Sequence, residues 1–548
     1  MRMRVIRIVG GREEGMTIIA KRTDVRVQER AAPSNALLYL AVFVGGVSSI
    51  GIEITASRLI APYFGSSTII WATVIGLTLL YLSLGYYIGG KLADRFPSER
   101  FFYSTFVISA LGTAIIPLLS RPILNASLSA FNNLNVGAFY GALLGILVLF
   151  IVPITVLGCV SPLALRLRLR GVEEVGGTAG ALYALSTVGS IVGSFLPVIV
   201  LTPYFGTRWT FYIFALALGL MGLLGLLRDR DRRAVGATVG ALVLVLALAL
   251  FGPNGNLRQA EAGQLLYEGE SEYNYIQVIR NGDEVGLVLN DGHAIHSIYN
   301  PKRLLTEGPW DYFMMAPFFN QNQQTTDVRS LALLGLAGGT TARQFTQVYG
   351  PSVQIDGVEI DPEIVKVGRK YFDMNEPNLN VIVQDARYFL RTTTKTYDVI
   401  GVDAYRQPYI PFQLTTKEFF QESYDRLNDN GVMVLNAGRF GTDYRLVNAV
   451  ASTMRTVFPN VYLIDVGRFS NTMVIATKKP TQVGNYAVNI AKLPQDSPLR
   501  TIGDLSLSTG NIREWTGTDM VFTDDRAPIE FVIDRLIVDA ARKETGGR

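Results

Sequence analysis

"LALLGLAGGTTARQF", residues 331–345, decides the fold of the second half of this 548-residue chain. A short apolar run ends at Gly335, passes through Gly338-Gly339 and opens into a helical pattern. A glycine-rich turn between a strand and a helix lets the backbone approach a nucleoside cofactor closely. Ala337 stands in the middle of that turn. A Gly-Gly turn alone is a weak signal, so its meaning rests on what surrounds it.

Outward from this stretch, strand and helix patterns alternate. Strands are expected near 330–335, 353–359, 380–384, 397–403, 431–437, 460–466 and 472–477, and helices near 340–349, 361–372, 415–428 and 443–457. Such alternation predicts a doubly wound, Rossmann-like (methyltransferase-type) α/β sheet. Before it, "EYNYIQVIRNGDEVGLVLNDG" alternates apolar and polar residues around Asn281-Gly282, which predicts a hairpin. Ligands of such sheets bind beyond the carboxyl ends of the strands. Three acids fall there: Glu359 ends the second strand, Asp385 the third and Asp403 the fourth. Each alone reads equally as a helix cap or first-turn acid, and Asp361, ahead of Pro362, is read as a cap. Three together beside one glycine turn point to a shared crevice, with Glu359 suited to a ribose diol.

The first half has a different composition. The chain is 49% hydrophobic and 18% charged, and its apolar excess lies before about residue 253. Seven segments near 36–57, 68–90, 102–120, 137–158, 178–201, 209–227 and 234–252 approach the ~20 apolar residues of a membrane-crossing helix. Pairs of glycines four apart (Gly85/Gly89, Gly141/Gly145, Gly189/Gly193, Gly236/Gly240) predict close helix packing. "IAPYFGSSTIIW" from Ile60 is echoed by "LTPYFGTRWTFY" from Leu201, as in two related halves. Duplicated halves occur in transporters and in membrane proteins that transport nothing. Glu53 within the first segment is a functional candidate, or a partner of Arg58. The division read from these patterns is a basic tail (1–34), a helical membrane bundle (35–253), a β-hairpin region (254–325) and the α/β domain (326–548).

Several classes are disfavoured. The basic residues form no stripe with interleaved aromatics, which argues against nucleic acid. Cys159 is the one cysteine, so no internal disulfide and no cysteine zinc site is available. His293 and His296 have no evident third metal ligand and read as a solvated loop pair.

From about Glu268 to Lys478 the chain resembles spermidine synthases, the polyamine aminopropyltransferases. The resemblance is carried by "YIQV", "NDG", "GLAGGTTAR", "GVEIDPEIVKVGRKYF", "VIVQDARYFL", "YDVIGVDAY", "LTTKEFF" and "GVMVLNAG" in order. With "GGKLADR" and "FTDDRAPIEF", the whole resembles bacterial proteins that join a membrane bundle to a spermidine-synthase-like domain. The resemblance implies a transferase that uses decarboxylated S-adenosylmethionine and releases methylthioadenosine. It implies Glu359 on the ribose, Asp385 and Ala386 at the adenine, Gln277 near the cofactor, Gly335, Gly338 and Gly339 in the cofactor turn, and Asp403 as the catalytic acid–base residue. Tyr405 follows that aspartate on the substrate side.

The chain also departs from the family pattern. Ala337 replaces an aspartate that holds the aminopropyl ammonium, and Arg406 stands where a second aspartate would face the amine. Asp311-Tyr312 replaces a Tyr-His or Tyr-Gln pair used in amine binding. Three readings therefore stand: an aminopropyltransferase with an altered acceptor, a methyltransferase-like enzyme using intact S-adenosylmethionine, and a non-catalytic nucleoside-binding domain serving the bundle. The expected partners are a lipid bilayer and a small amine, and a homo-oligomer stays open. Eighteen Lys or Arg of the tail and alternate short loops lie on one side of the bundle, against Arg58, Arg121, Arg208 and Arg258 on the other. The richer side is expected to face the cytoplasm, and seven crossings then leave the α/β domain outside.

Overall fold

The structure is a computed structural model that describes residues 35–64, 68–131, 137–169, 175–228, 232–252, 262–290, 294–405, 410–439, 441–508, 510–533 and 535. The basic tail, Arg170, Arg230, Arg258, His293 and Arg406 lie outside the described residues.

The first half is a helical bundle: α1 (Asn35–Phe64), α2 (Thr68–Arg95), α3 (Glu99–Phe131), α4 (Gly137–Gly158), α5 (Val160–Arg168), α6 (Val175–Leu196), α7 (Thr202–Arg228) and α8 (Arg232–Phe251). Among the described residues, six helical runs are long and apolar enough to cross a membrane. One of them, Val175–Arg228, has 54 residues. As one straight rod it would extend about 80 Å, against a hydrocarbon core of about 30 Å. It is broken by a π-turn at Pro197–Leu201 and by Gly206, whose φ of 79° and ψ of 165° are not helical. The run thus contains two segments, α6 and α7, on either side of that break. The break falls in the second "PYFG".

Three of the four glycine pairs sit at packed contacts. A Cβ on Gly189 or Gly193 would lie 2.4 or 2.2 Å from the Phe43 or Val47 carbonyl of α1. Gly85 and Gly89 meet α4 and Cys159 at 2.2 and 2.6 Å, and Gly141 and Gly145 meet the Phe64 ring and Leu124 at 2.5 and 2.6 Å. The fourth expectation is corrected, because nothing lies within 4 Å of a Cβ on Gly236 or Gly240. Those two follow the spacing without a partner helix. Arg58 turns away from Glu53, to the Ser271 and Glu272 carbonyls.

The hairpin region is a four-stranded antiparallel sheet, β1 (Gln264–Glu270), β2 (Tyr275–Asn281), β3 (Glu284–Leu289) and β4 (Ile295–Tyr299), in sequential order. Its β2–β3 turn is shifted by one from the sequence expectation. Asn281 pairs with Glu284, so Gly282 and Asp283 form the turn. Gly282 has a φ of 61°, the glycine-first pattern of a type II′ turn.

The α/β domain follows. Its strands are β5 (Ser330–Leu334), β6 (Gln354–Glu359), β7 (Leu379–Val383), β8 (Tyr397–Val402), β9 (Leu427–Gly438), β10 (Asn460–Asp465), β11 (Asn471–Thr477) and β12 (Ile512–Glu514). They form one sheet in the order β12-β10-β11-β9-β8-β5-β6-β7. The strands β9-β8-β5-β6-β7 run parallel and the remainder antiparallel. The helices are α9 (Pro309–Phe313), α10 (Thr340–Tyr349), α11 (Pro362–Tyr371), α12 (Ala386–Thr392), α13 (Lys417–Asp425), α14 (Arg445–Arg455), α15 (Gly484–Ala491) and α16 (Pro498–Ser508). Along β5, Leu331 and Leu333 enter one buried cluster while Ala332 and Leu334 enter another. That alternation is the pleat of a strand covered on both faces. The order reverses at β5, flanked by β6 and β8, which opens a crevice at their carboxyl ends.

The α/β domain and the small sheet meet one end of the bundle. Arg58 near the end of α1, Trp71 in the first turn of α2 and Thr207 just after the Gly206 break in α7 all face them. This is the end away from Asn35 and poor in Lys and Arg. A cysteine at the exposed Asn281, with Cys159→Ser, tests the side. The charge pattern predicts labelling by a membrane-impermeant thiol reagent in intact cells. Labelling only after lysis would put the domain in the cytoplasm.

Candidate functional site

The crevice at the ends of β5, β6, β7 and β8 holds a cavity of about 650 Å³. Its floor is the glycine turn. Gly335 has a φ of 98°, and a Cβ there would sit 2.6 Å from the Asp403 backbone, so only glycine fits. The N–H groups of Gly335 and Leu336 both donate to Val358 O, at 2.9 and 3.0 Å. This folds the turn over the end of β6. Ala337 then takes a left-handed φ of 48°, uncommon for a residue with a Cβ, and its N–H donates to Glu359 Oε2 at 2.9 Å.

Glu359 is thereby fixed. Its second oxygen accepts the Asp361 N–H at 3.1 Å, and burial pushes its pKa up to about 7 against the backbone donors that favour the charge. Asp361 caps α11 by accepting from Glu363 N at 2.9 Å, as expected. Asp385 caps α12 by accepting from Tyr388 N at 2.9 Å, and both Asp385 and Ala386 line the cavity. The cap and cavity readings of Asp385 are therefore compatible.

Asp403 follows β8. Burial pushes its pKa up to about 6, opposed by hydrogen bonds from Asn436 and Trp310. The Asn436 amide donates to it at 2.8 Å while its own oxygen accepts from Asn471 at 2.8 Å. Asn436 is thus fixed as a donor. Tyr405 lines the cavity, with its hydroxyl donating to Asn436 O at 2.9 Å and accepting from Gly438 N at 2.7 Å.

Other expected residues sit elsewhere. Gly338 and Gly339 shape the turn without lining the cavity. The N–H of Gly338 donates to Ser297 Oγ of β4 at 2.8 Å, and Gly339, with a φ of 88°, starts α10. Gln277 is buried in β2 and donates to the Tyr275 hydroxyl at 2.9 Å. Asp311 and Tyr312 do not line the cavity. Asp311 accepts from Thr306 N and Oγ1, Glu307 N and Gln344 Nε2, which occupies its lone pairs in clamping the loop before α9. Its neighbour Trp310 is the residue that reaches Asp403. His296 is not solvated, since it lies half-buried in β4 and lines the cavity.

Residues not expected from the sequence complete the walls: Trp71, Glu272, Tyr273, Asn274 and Glu530. Glu530 lies in "FTDDRAPIEF", and Glu272 sits in a loop just before "YIQV", so proximity to family motifs was the available signal. Five carboxylates (Glu272, Glu359, Asp385, Asp403, Glu530) line the cavity, and no Lys or Arg does among the described residues. No cluster of three metal-ligating side chains occurs among the described residues.

Residues 313–487 match the spermine/spermidine synthase domain. The chain is 33% identical over 301 residues to a probable polyamine aminopropyl transferase of Bifidobacterium longum, across 50% of this chain and 65% of that protein. It is 25% identical over 449 residues to a polyamine aminopropyltransferase of Corynebacterium efficiens, across 76% of this chain and 80% of that protein. Residues 254–548 number fewer than 449, so this similarity reaches into the helical half. A crystal structure of a probable spermidine synthase from Corynebacterium glutamicum covers 48% of this chain and 98% of its own, at 22% identity and a TM-score of 0.37. The chain spans just under two thirds of the Bifidobacterium protein's length.

A pH dependence follows from Glu359. Folded, it holds its proton to about pH 7, against an ordinary value of 4.5. The folded state binds that proton more tightly than the unfolded chain, so stability is greatest below about pH 4.5 and falls as pH rises to about 7. The loss in unfolding free energy from pH 5 to pH 8 should be smaller in Glu359→Gln than in the wild type, by roughly 2 kcal/mol. Thermal unfolding of the detergent-solubilised protein at both pH values measures it, and equal losses would contradict the assignment.

Proposed function

We propose that this protein is a membrane-bound aminopropyltransferase with a rebuilt acceptor site. It would transfer the aminopropyl group of decarboxylated S-adenosylmethionine to a cationic amine. The charge of the cavity carries this reading: five carboxylates face a space lined by no described Lys or Arg. A sulfonium and an ammonium are both stabilised there. A carboxylate-bearing cofactor tail is repelled, which disfavours the methyltransferase-like reading. Glu272 and Glu530 supply acid where Ala337 lacks it.

Each group then has a task. Glu359, held by two peptide N–H groups, accepts the ribose hydroxyls, and Asp385 with Ala386 meets the adenine. Asp403 orients the acceptor amine and takes its proton. The amine nitrogen attacks the carbon beside sulfur. The C–N bond forms, the C–S bond breaks, and its electron pair stays on sulfur as methylthioadenosine leaves. A sulfonium is already a good leaving group, so holding nitrogen and carbon in line is most of the catalysis.

Charge asymmetry of the bundle favours a second reading. If the domain lies outside, away from the site of sulfonium synthesis, it would serve the bundle as a nucleoside-binding domain without turnover.

Two outcomes test the first reading. Asp403→Asn keeps the shape and removes the base, so turnover should fall about 100-fold or more. The wild-type kcat/KM should rise with pH through about 6, the value to which burial moves Asp403. Turnover unchanged in Asp403→Asn, or a flat profile between pH 5 and 7, would remove Asp403 from the role.

A further inference from the structure

Three parts of the bundle converge on one wall of the cavity. Arg58 of α1 donates through Nη1 to Ser271 O at 2.7 Å and through Nη2 to Glu272 O. Thr207 of α7 donates its N–H at 2.9 Å and its hydroxyl at 2.6 Å to the two carboxylate oxygens of Glu270, the last residue of β1. Trp71 of α2 lines the cavity itself.

The segment between these anchors is the β1–β2 loop, and its residues Glu272, Tyr273 and Asn274 all line the cavity. Its inner side is tied to the nucleoside end. Ser271 Oγ donates to Asp361 Oδ2 at 2.5 Å, and Asn274 Nδ2 donates to the same oxygen at 2.9 Å. The Asp361 N–H in turn donates to Glu359 Oε1 at 3.1 Å. An unbroken chain of contacts therefore runs from a bundle guanidinium to the carboxylate assigned to the ribose.

We propose that the helical bundle completes the site. Arg58 is a positioning residue that sets the 271–274 loop and, through Ser271 and Asp361, the Glu359 carboxylate. Trp71 forms part of the wall that receives the amine. Simple docking would be served by contacts anywhere on the small sheet. Here the contacts fall on the two residues before the cavity loop and on the loop itself. A planar guanidinium on two successive carbonyls fixes the loop's path in a way that a single point contact does not. Trp71 adds an aromatic surface to a wall rich in carboxylates, a pairing that suits an ammonium group. The bundle thus acquires a role that requires no transported species.

The inference rests on Glu359 as a nucleoside ligand, and its test keeps the two apart. Methylthioadenosine is titrated calorimetrically into the full-length protein in detergent, as wild type, Arg58→Ala, Arg58→Lys and Ser271→Ala. Arg58→Ala should weaken binding about five- to tenfold, less than the direct loss of a hydrogen bond from a charged group because Arg58 acts on Glu359 through the loop, and Arg58→Lys should recover part of it. Ser271→Ala should weaken binding in the same direction with the bundle untouched, and it carries the test should Arg58→Ala not purify as folded protein. Wild-type binding with every variant within twofold of it overturns the inference, whatever the variants do to thermal stability. Absence of wild-type binding overturns the nucleoside reading of Glu359, and the inference with it.

Discussion

One buried carboxylate, held by two peptide N–H groups, organises this site. Glu359 accepts from Ala337 and from Asp361. The first contact needs the glycine turn folded over the end of β6, which in turn needs Gly335 pressed against the Asp403 backbone. The second needs Asp361 at the start of α11, where it also holds Ser271 and Asn274. The turn, the end of β8, the α11 cap and the loop facing the bundle are thus fixed relative to one group. Burying that charge opposes stability at neutral pH.

The carboxyl ends of the parallel strands were legible in the sequence. Glu359, Asp385 and Asp403 each close an apolar run, and the fold places all three in one cavity. The run lengths also place β5 to β11 and the helices α10, α11, α13 and α14 to within a few residues, whereas β12 and the helices α9, α12, α15 and α16 have no such signal. Local chemistry dictates these features, and local chemistry is what a sequence displays. Asp311 shows the opposite case. As an acid in the right neighbourhood it read as an amine ligand, yet its partners Thr306, Glu307 and Gln344 occupy it in a loop clamp. Its saturation depends on Gln344, which lies on another element.

Long-range assembly was the least legible. Trp71 carries no pattern that marks it, because it reaches the cavity only through the packing of the bundle on the small sheet. His296 reads as a loop residue for a different reason: β4 has no strong alternation, which hides its place in a wall. The glycine pairs show how weak a spacing rule is without a partner helix. Three of the four pack closely, and Gly236 with Gly240 meets nothing.

Five acids, with no Lys or Arg among the described residues of the lining, are the ground for proposing a cationic adenosine ligand. Competition between decarboxylated S-adenosylmethionine and S-adenosylmethionine, measured by calorimetry on the full-length protein, tests that proposal most directly. The two differ by one carboxylate, and the five acids of the cavity should repel it. The decarboxylated form should bind at least about tenfold more tightly, or roughly 1.4 kcal/mol. Equal or tighter binding of S-adenosylmethionine would contradict the proposal.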